Sequence, residues 1–391
     1  MVCPWGVNSN MSMAARLAAH EVRWIATPEA LDAACNEVAH ADVIALDTEF
    51  YREKTFHPVP ALIQFSAGGP AWLIDAQAVE CTQRFRQLLS EGPLKLMHAS
   101  SEDLEVLALW AGVTVAPLVD TQVAQGLLGE DPAIGYQRLV EHWTGQNLPK
   151  DETRSDWLQR PLSDAQCLYA ALDVVYLVQV WECQREALER LGRREWLEAD
   201  CAELVAQAQR SSATDAKWYR RHRQLWRLSP RQIEAYRLLT TWRESEARRR
   251  NLPRGWLVND RVLYGVAERM PENRHQLAEV DDIKPGLIKR DGETLLKWVK
   301  QAQQCQEQQL PAALPSPLSG EYKRRMKVLK QVVNQQAEQL GLAPEVLVRR
   351  RELEAMVGAH LSGQALPLPE GWRGELLAVY VQQALAEVEA A

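Results

Sequence analysis

Short apolar runs alternate with amphipathic stretches through the first half of the chain, and beyond residue 200 the runs that read as strands disappear. Strands are expected at 43–48, 61–66, 71–74 and 94–97, where apolar and β-branched side chains cluster, and helices at 81–89, 102–111, 121–128 and 165–189. The first three strands follow closely enough to pair antiparallel, whereas the later ones are separated by helices. That order predicts an α/β domain with a mixed sheet over 22–210, preceded by an extension at 1–21.

The second half reads as helical throughout. Ser229-Pro230-Arg231-Gln232 places a capping serine before a proline at the first helical position and a glutamine three residues after the cap, so a helix is expected to start there. Leu238-Leu239, Trp242, Leu252, Leu257-Val258 and Leu263 recur at an offset of 90 as Val328-Leu329, Val332, Leu342, Leu347-Val348 and Leu353. Two related helical modules, 211–302 and 318–391, are expected around a proline-rich linker at 303–317.

Composition narrows the function classes. With 46% hydrophobic and 25% charged residues the chain is ordinary for a folded globular protein, which argues against extended disorder. No apolar run reaches the roughly 18 residues of a membrane span, and the start lacks the basic-then-apolar pattern of a secretory signal; Met11 and Met13 offer alternative starts. The seven cysteines are scattered without a C-x-x-C pair, which points to reduced thiols in a cytoplasmic protein. A net charge of −7 argues against a polyanionic partner until its distribution is considered. Residues 211–300 carry 20 Lys and Arg against 12 Asp and Glu, so nucleic acid can be met through the first helical module.

The candidate chemistry lies in three acidic elements. Asp42-Val-Ile-Ala-Leu-Asp47-Thr-Glu49-Phe50 is an apolar run ending in two carboxylates on one strand face, a pairing that raises one pKa or calls for a hard cation such as magnesium or manganese. A strand entering an acidic loop accounts for the same pair. His98-Ala-Ser-Ser-Glu102-Asp103 puts Asp103 in a first helical turn, where the free backbone N–H groups favour a carboxylate without any further role. Tyr169 and Asp173 stand four apart on a helix that Ser163 and Gln166 should cap, so phenol and carboxylate share a face. A half-buried tyrosine beside an exposed acid has the same pattern.

Together, D-x-E at a strand end, a second Asp about 55 residues on and Y-x-x-x-D on a later helix resemble the tyrosine-bearing branch of the DEDD exonuclease superfamily. LDTEF, HASSEDLEVL and the segment Ser155 to Leu177 are similar to the ribonuclease D family, and the two helical modules resemble the helicase-and-RNase-D C-terminal (HRDC) domain, the second in degenerate form. The resemblance implies an RNase H-like 3′–5′ exonuclease domain followed by two all-α HRDC-like domains. It implies that Asp47, Glu49, Asp103 and Asp173 hold two divalent cations, Mg2+ or Mn2+, about 4 Å apart, with Tyr169 orienting the attacking water. The implied activity is 3′-end hydrolysis of RNA to nucleoside 5′-monophosphates, on tRNA precursors and small structured RNAs, with no membrane and no obligate protein partner.

RNA contacts are expected more loosely. Phe50 and Tyr51 are placed to stack on a terminal base or to pack in the core. Lys150, Arg154 and Arg160 reach phosphates or form a solvated basic loop, and His98 is read as structural. Arg248, Arg249, Arg250 and Arg254, with Lys284, Lys289 and Arg290, offer phosphate contacts or a solvated helix end. A chain ended near residue 210 is expected to keep its chemistry and bind RNA more weakly. The competing readings are a 3′–5′ DNA exonuclease and a non-catalytic RNA-binding or helicase accessory module.

Overall fold

A run such as Val43-Ile-Ala-Leu46 loses least by being covered on both sides, and it opens the central strand of the sheet, β2 (Val43–Tyr51), with Ile44, Ala45 and Leu46 fully buried. The computed structural model describes residues 20–149, 155–211 and 218–390; most of the N-terminal extension, together with Lys150 and Arg154, lies outside them. Two compact units emerge. The first comprises residues up to 51, 58–209 and 335–347, and the second 52–57, 210–334 and 348–391.

In chain order the first unit contains β1 (Arg23–Ile25), α1 (Pro28–Glu37), β2, β3 (Val59–Ser66), β4 (Ala71–Asp75), α2 (Gln83–Ser90), β5 (Leu94–Met97), α3 (Ser101–Ala111), β6 (Leu118–Asp120), α4 (Thr121–Leu127), α5 (Tyr136–Thr144), α6 (Asp164–Val175), α7 (Leu177–Leu191) and α8 (Arg194–Ser211). The sheet order is β1-β4-β3-β2-β5-β6. β2, β3 and β4 pair antiparallel, as their short connections predict, while β5 and β6 add in parallel after helical crossovers and β1 pairs parallel to β4. The edge strands β1 and β6 went unpredicted because three residues carry no readable alternation.

Alternation along β2 sorts its side chains into two layers. Ile44 and Leu46 join Ile63, Phe65, Ile74, Phe85, Leu104 and Leu107 in the core beneath α1, α2 and α3. The other face carries Leu62 and Leu73 against Ala170 of α6 and Trp157, with a further core of Leu139, Val140, Leu168, Leu172 and Val180 among α5, α6 and α7. The helix expected at 165–189 is therefore two, broken at Tyr176. Its start is as expected: Ser163 Oγ accepts from Gln166 N and Gln166 Oε1 accepts from Ser163 N at 3.0 Å.

Residues 335–347 belong with this unit through particular contacts. Gly129 has φ +89°, and a Cβ there would strike the Gly341 carbonyl, so only glycine permits the approach. Arg193 donates to the Leu127 carbonyl at 2.6 Å and also to that of Leu340.

The helical half repeats its elements at the offset seen in the sequence. α9 (Pro230–Arg250), α10 (Arg254–Leu257) and α11 (Asp260–Arg269) are followed by α12 (Arg274–Ala278) and α13 (Pro285–Gln304); then α14 (Gly320–Leu340), α15 (Pro344–Leu347) and α16 (Arg350–Leu361) start 90 residues after α9, α10 and α11, and α17 (Trp372–Ala390) ends the series. Leu239, Leu257 and Leu263 are buried, as are their counterparts Leu329, Leu347 and Leu353. The expected capping box at Ser229 forms. No helix among the described residues is long and apolar enough to cross a membrane.

Candidate active site

β2 delivers Asp47 and Glu49 to the α6 face, and Asp173 descends from α6 to meet them. One carboxylate oxygen from each of the three lies within 4.8 Å of the others. Asp103 is not in that set but adjoins it. As the third residue of α3 it accepts a 2.6 Å hydrogen bond from Thr48 Oγ1, the side chain between the two β2 acids that points to the opposite face. Ser100 at the helix start makes no side-chain cap, so Asp103 is held by the strand beside it as well as by its own helix end.

Burial raises all four acids, and repulsion from nearby carboxylates adds to it, from within the cluster for Asp47, Glu49 and Asp173 and from Glu102 and Asp120 for Asp103. Glu49 is pushed up to about 9 by desolvation and then by Asp173 and Asp103. Asp173 reaches about 8, mainly through desolvation, against a lowering hydrogen bond from Tyr169. Asp103 rises to about 6 through burial, restrained by the Thr48 bond, and Asp47 is driven well above its ordinary range by burial, Asp103, Asp173 and Glu49 in turn. Several oxygen donors that resist ionisation beside one another are the donor set a hard divalent cation relieves, so the residues fit one. Tyr169 bonds Asp173, and burial and the surrounding acids push its phenol further up, so it stays protonated at neutral pH.

The turn that carries Asp103 is held by a residue that the sequence did not mark. Asp120, 3% exposed, accepts from Ala99 N (3.1 Å), Ser100 N (2.8 Å), Ser100 Oγ (2.9 Å) and Gln122 N (2.8 Å), holding Ala99 at φ 54°. That Asp precedes Thr at a helix start was the available signal, read only as a helix boundary. Tyr136 is a second omission: its hydroxyl donates to the Leu172 carbonyl at 2.7 Å, and its pKa is raised by burial and by Asp173 and Asp47. α5 had not been predicted, so nothing pointed to it. His98 is structural as read, with its ring nitrogens on Thr121 Oγ1 and the Ile134 carbonyl at 3.0 Å each.

Other sequence candidates are placed differently from their expected roles. Arg160 is not part of an open basic loop: its guanidinium grips both oxygens of Asp75 at 2.7 and 2.8 Å and donates to the Ala61, Trp157 and Gln159 carbonyls. Phe50 and Tyr51 are half-buried at the end of β2, past a bulge between Glu49 and Phe50. In the second unit the arginine run meets internal acids. Arg248 and Arg254 pair with Glu244 and flank the Phe56 ring, Arg250 pairs with Glu246 and Asp291, and Arg249 pairs with Glu246 while its side chain remains 67% exposed.

Known proteins match over most of the chain. A family model for the 3′-5′ exonuclease covers residues 22–189, one for the HRDC domain 232–299, and one for the ribonuclease D C-terminal HRDC domain 320–381. Ribonuclease D of Pseudomonas paraeruginosa is 39% identical over 371 residues, 94% of this chain and 98% of the relative, and that of Escherichia coli is 34% identical over 93% of this chain and 98% of its own. The crystal structure of E. coli RNase D, described as an exoribonuclease involved in structured RNA processing, superposes with a TM-score of 0.84 at 32% identity, covering 94% of this chain and 99% of that one. With an acid cluster suited to a divalent cation on a mixed sheet, and helical modules that match in turn, the chain belongs to the ribonuclease D family and is a 3′–5′ exoribonuclease.

Proposed function

We propose that Asp47, Glu49, Asp103 and Asp173 hold two divalent cations, Mg2+ or Mn2+, and that the chain trims structured RNAs, tRNA precursors among them, releasing nucleoside 5′-monophosphates. The convergence of Asp47, Glu49 and Asp173 oxygens within 4.8 Å, with Asp103 tied to Thr48 beside them, is the observation that supports this reading. Bound cations supply the acidity of the attacking water and neutralise charge on the phosphate and leaving oxygen. The protein's own groups do the rest. Tyr169, kept protonated and anchored to Asp173, orients water rather than removing its proton. Thr48 and Asp120 keep Asp103 at its station. Phe50 and Tyr51 at the strand end are proposed to stack on the terminal nucleotide. Exposed Arg249, Lys284 and Lys289 of the first helical module are proposed to meet phosphates.

Digestion of matched end-labelled RNA and DNA, with magnesium, manganese or chelator, tests direction, product and metal. Asp47→Asn should reduce RNA hydrolysis to background while leaving RNA affinity within about threefold, because one lost charge removes cation binding rather than docking. Magnesium-dependent hydrolysis surviving in that variant would remove the acids from the mechanism.

A further inference from the structure

Gln64 lies directly opposite Asp47 in the β2–β3 pair, and opposed residues on antiparallel strands share a face with their Cβ atoms about 4.5–5.5 Å apart. That is the face on which Asp47 meets Asp173. Gln64 is fully buried, yet neither its amide nitrogen nor its amide oxygen has a hydrogen-bond partner among the described residues. Its surroundings on that face are apolar: Leu73 opposes it from β4, and Leu62 and Ala170 flank the layer. Trp157 lies in the same layer, its ring centroid 6.1 Å from that of Tyr169, and its indole N–H is also unpartnered.

We infer that Gln64 is a positioning residue for the acid cluster, its side-chain amide donating to the Asp47 carboxylate through one ordered water and so fixing the orientation in which Asp47 receives a cation. An unpaired buried amide is destabilising, and a leucine or methionine would fill this apolar layer without that cost. A glutamine there is accounted for by a polar group it serves. Asp47 is the carboxylate directly across the strand pair, and an ionised carboxylate offers acceptor positions beyond those a cation takes. A hydrogen bond donated to one of these favours the charged form that binds the cation. Partners of this kind, one shell out from a metal ligand, commonly govern affinity by about 10- to 100-fold.

This inference rests on the proposed assignment of Asp47 as a ligand, and the test separates the two. Mn2+ binding is titrated calorimetrically for the wild-type chain, Gln64→Leu, Gln64→Met and Asp47→Asn, and each is melted in chelator. The expected result is a Mn2+ affinity lowered about tenfold or more in the Gln64 variants, with a cation-free melting temperature equal to or above wild type and a fall in kcat at unchanged KM for RNA. Methionine, flexible and close in volume, serves if the leucine variant does not fold. Wild-type Mn2+ affinity in either folded Gln64 variant, alongside loss in Asp47→Asn, overturns the role of Gln64 alone. Wild-type affinity in Asp47→Asn overturns the site assignment beneath it. A weakened affinity accompanied by a lower cation-free melting temperature marks a structural glutamine and also overturns the inference.

Discussion

Each acid of the cluster is held closer to its neighbours than water would leave it, and this has a consequence for stability. Glu49 and Asp173, at about 9 and about 8, bind protons more tightly in the folded chain than unfolded carboxyls near 4 do. Stability from such raised groups is complete below the unfolded range and drains away as pH rises through the folded values. In chelator, therefore, the melting temperature should fall between about pH 5 and 9. Added divalent cation should recover far more of it at pH 8.5 than at pH 5.5, with protons released on binding. Melting curves across that range, with and without Mg2+, provide the check; a cation-free protein equally stable at both ends would mean the acids do not repel one another as described.

The elements around the site are joined by side chains that look functional in the sequence. Arg160 precedes the helix bearing Tyr169 and Asp173 in a stretch of mixed charge, yet it ties that approach to the end of β4 through Asp75 and to β3 through the Ala61 carbonyl. Asp75 is 7% exposed, and its carboxyl is lowered by the Arg160 hydrogen bonds against the raising effect of burial. Arg160→Leu leaves that carboxylate nearly buried without its counter-charge, held only by backbone N–H groups such as that of Gln77, at a cost of about 3 kcal/mol. The expected outcome is a clearly lower melting temperature with unchanged RNA affinity. An RNA-binding defect without loss of stability would return Arg160 to a phosphate-contacting role. Capping boxes were legible because their partners lie three residues apart; the Arg160–Asp75 pair spans 85 residues, and no local pattern announces it.

For the whole molecule, one division between the compact units falls between Gln209 and Arg210, and each unit also takes in a segment from the other side of it. Residues 335–347 count with the catalytic unit, accepting from Arg193 at the Leu340 carbonyl and meeting Gly129 at the Gly341 carbonyl, while 52–57 counts with the helical one, where the Asn251 side chain accepts from Phe56 N at 3.0 Å and His57 N at 3.1 Å. A chain ended at 210 forfeits both sets of contacts. The charged hydrogen bond from buried Arg193 to the Leu340 carbonyl contributes about 1.5–3 kcal/mol, and a catalytic unit of this size moves about 2–4 °C per kcal/mol. Its melting temperature should fall by about 5 °C or more on truncation. Calorimetry of the shortened and full chains decides this, and equal melting of the catalytic transition would contradict it.

Short-range patterns made much of this protein readable from its residues. The apolar run before Asp47, the i, i+2 placement of Glu49, the i, i+4 placement of Tyr169 and Asp173, and the repeat at 90 are all written within a few turns or one period of the chain. Tertiary structure alone decided which charges are spent internally, because a carboxylate such as Glu244 or Asp291 neutralises an arginine wherever the fold brings them together. It also decided that Thr48 reaches Asp103, that Tyr136 borders the site, and that Gln64 is buried opposite Asp47 without a partner among the described residues. Such contacts join positions distant in sequence, where strand pairing and helix packing, rather than periodicity, choose the neighbours.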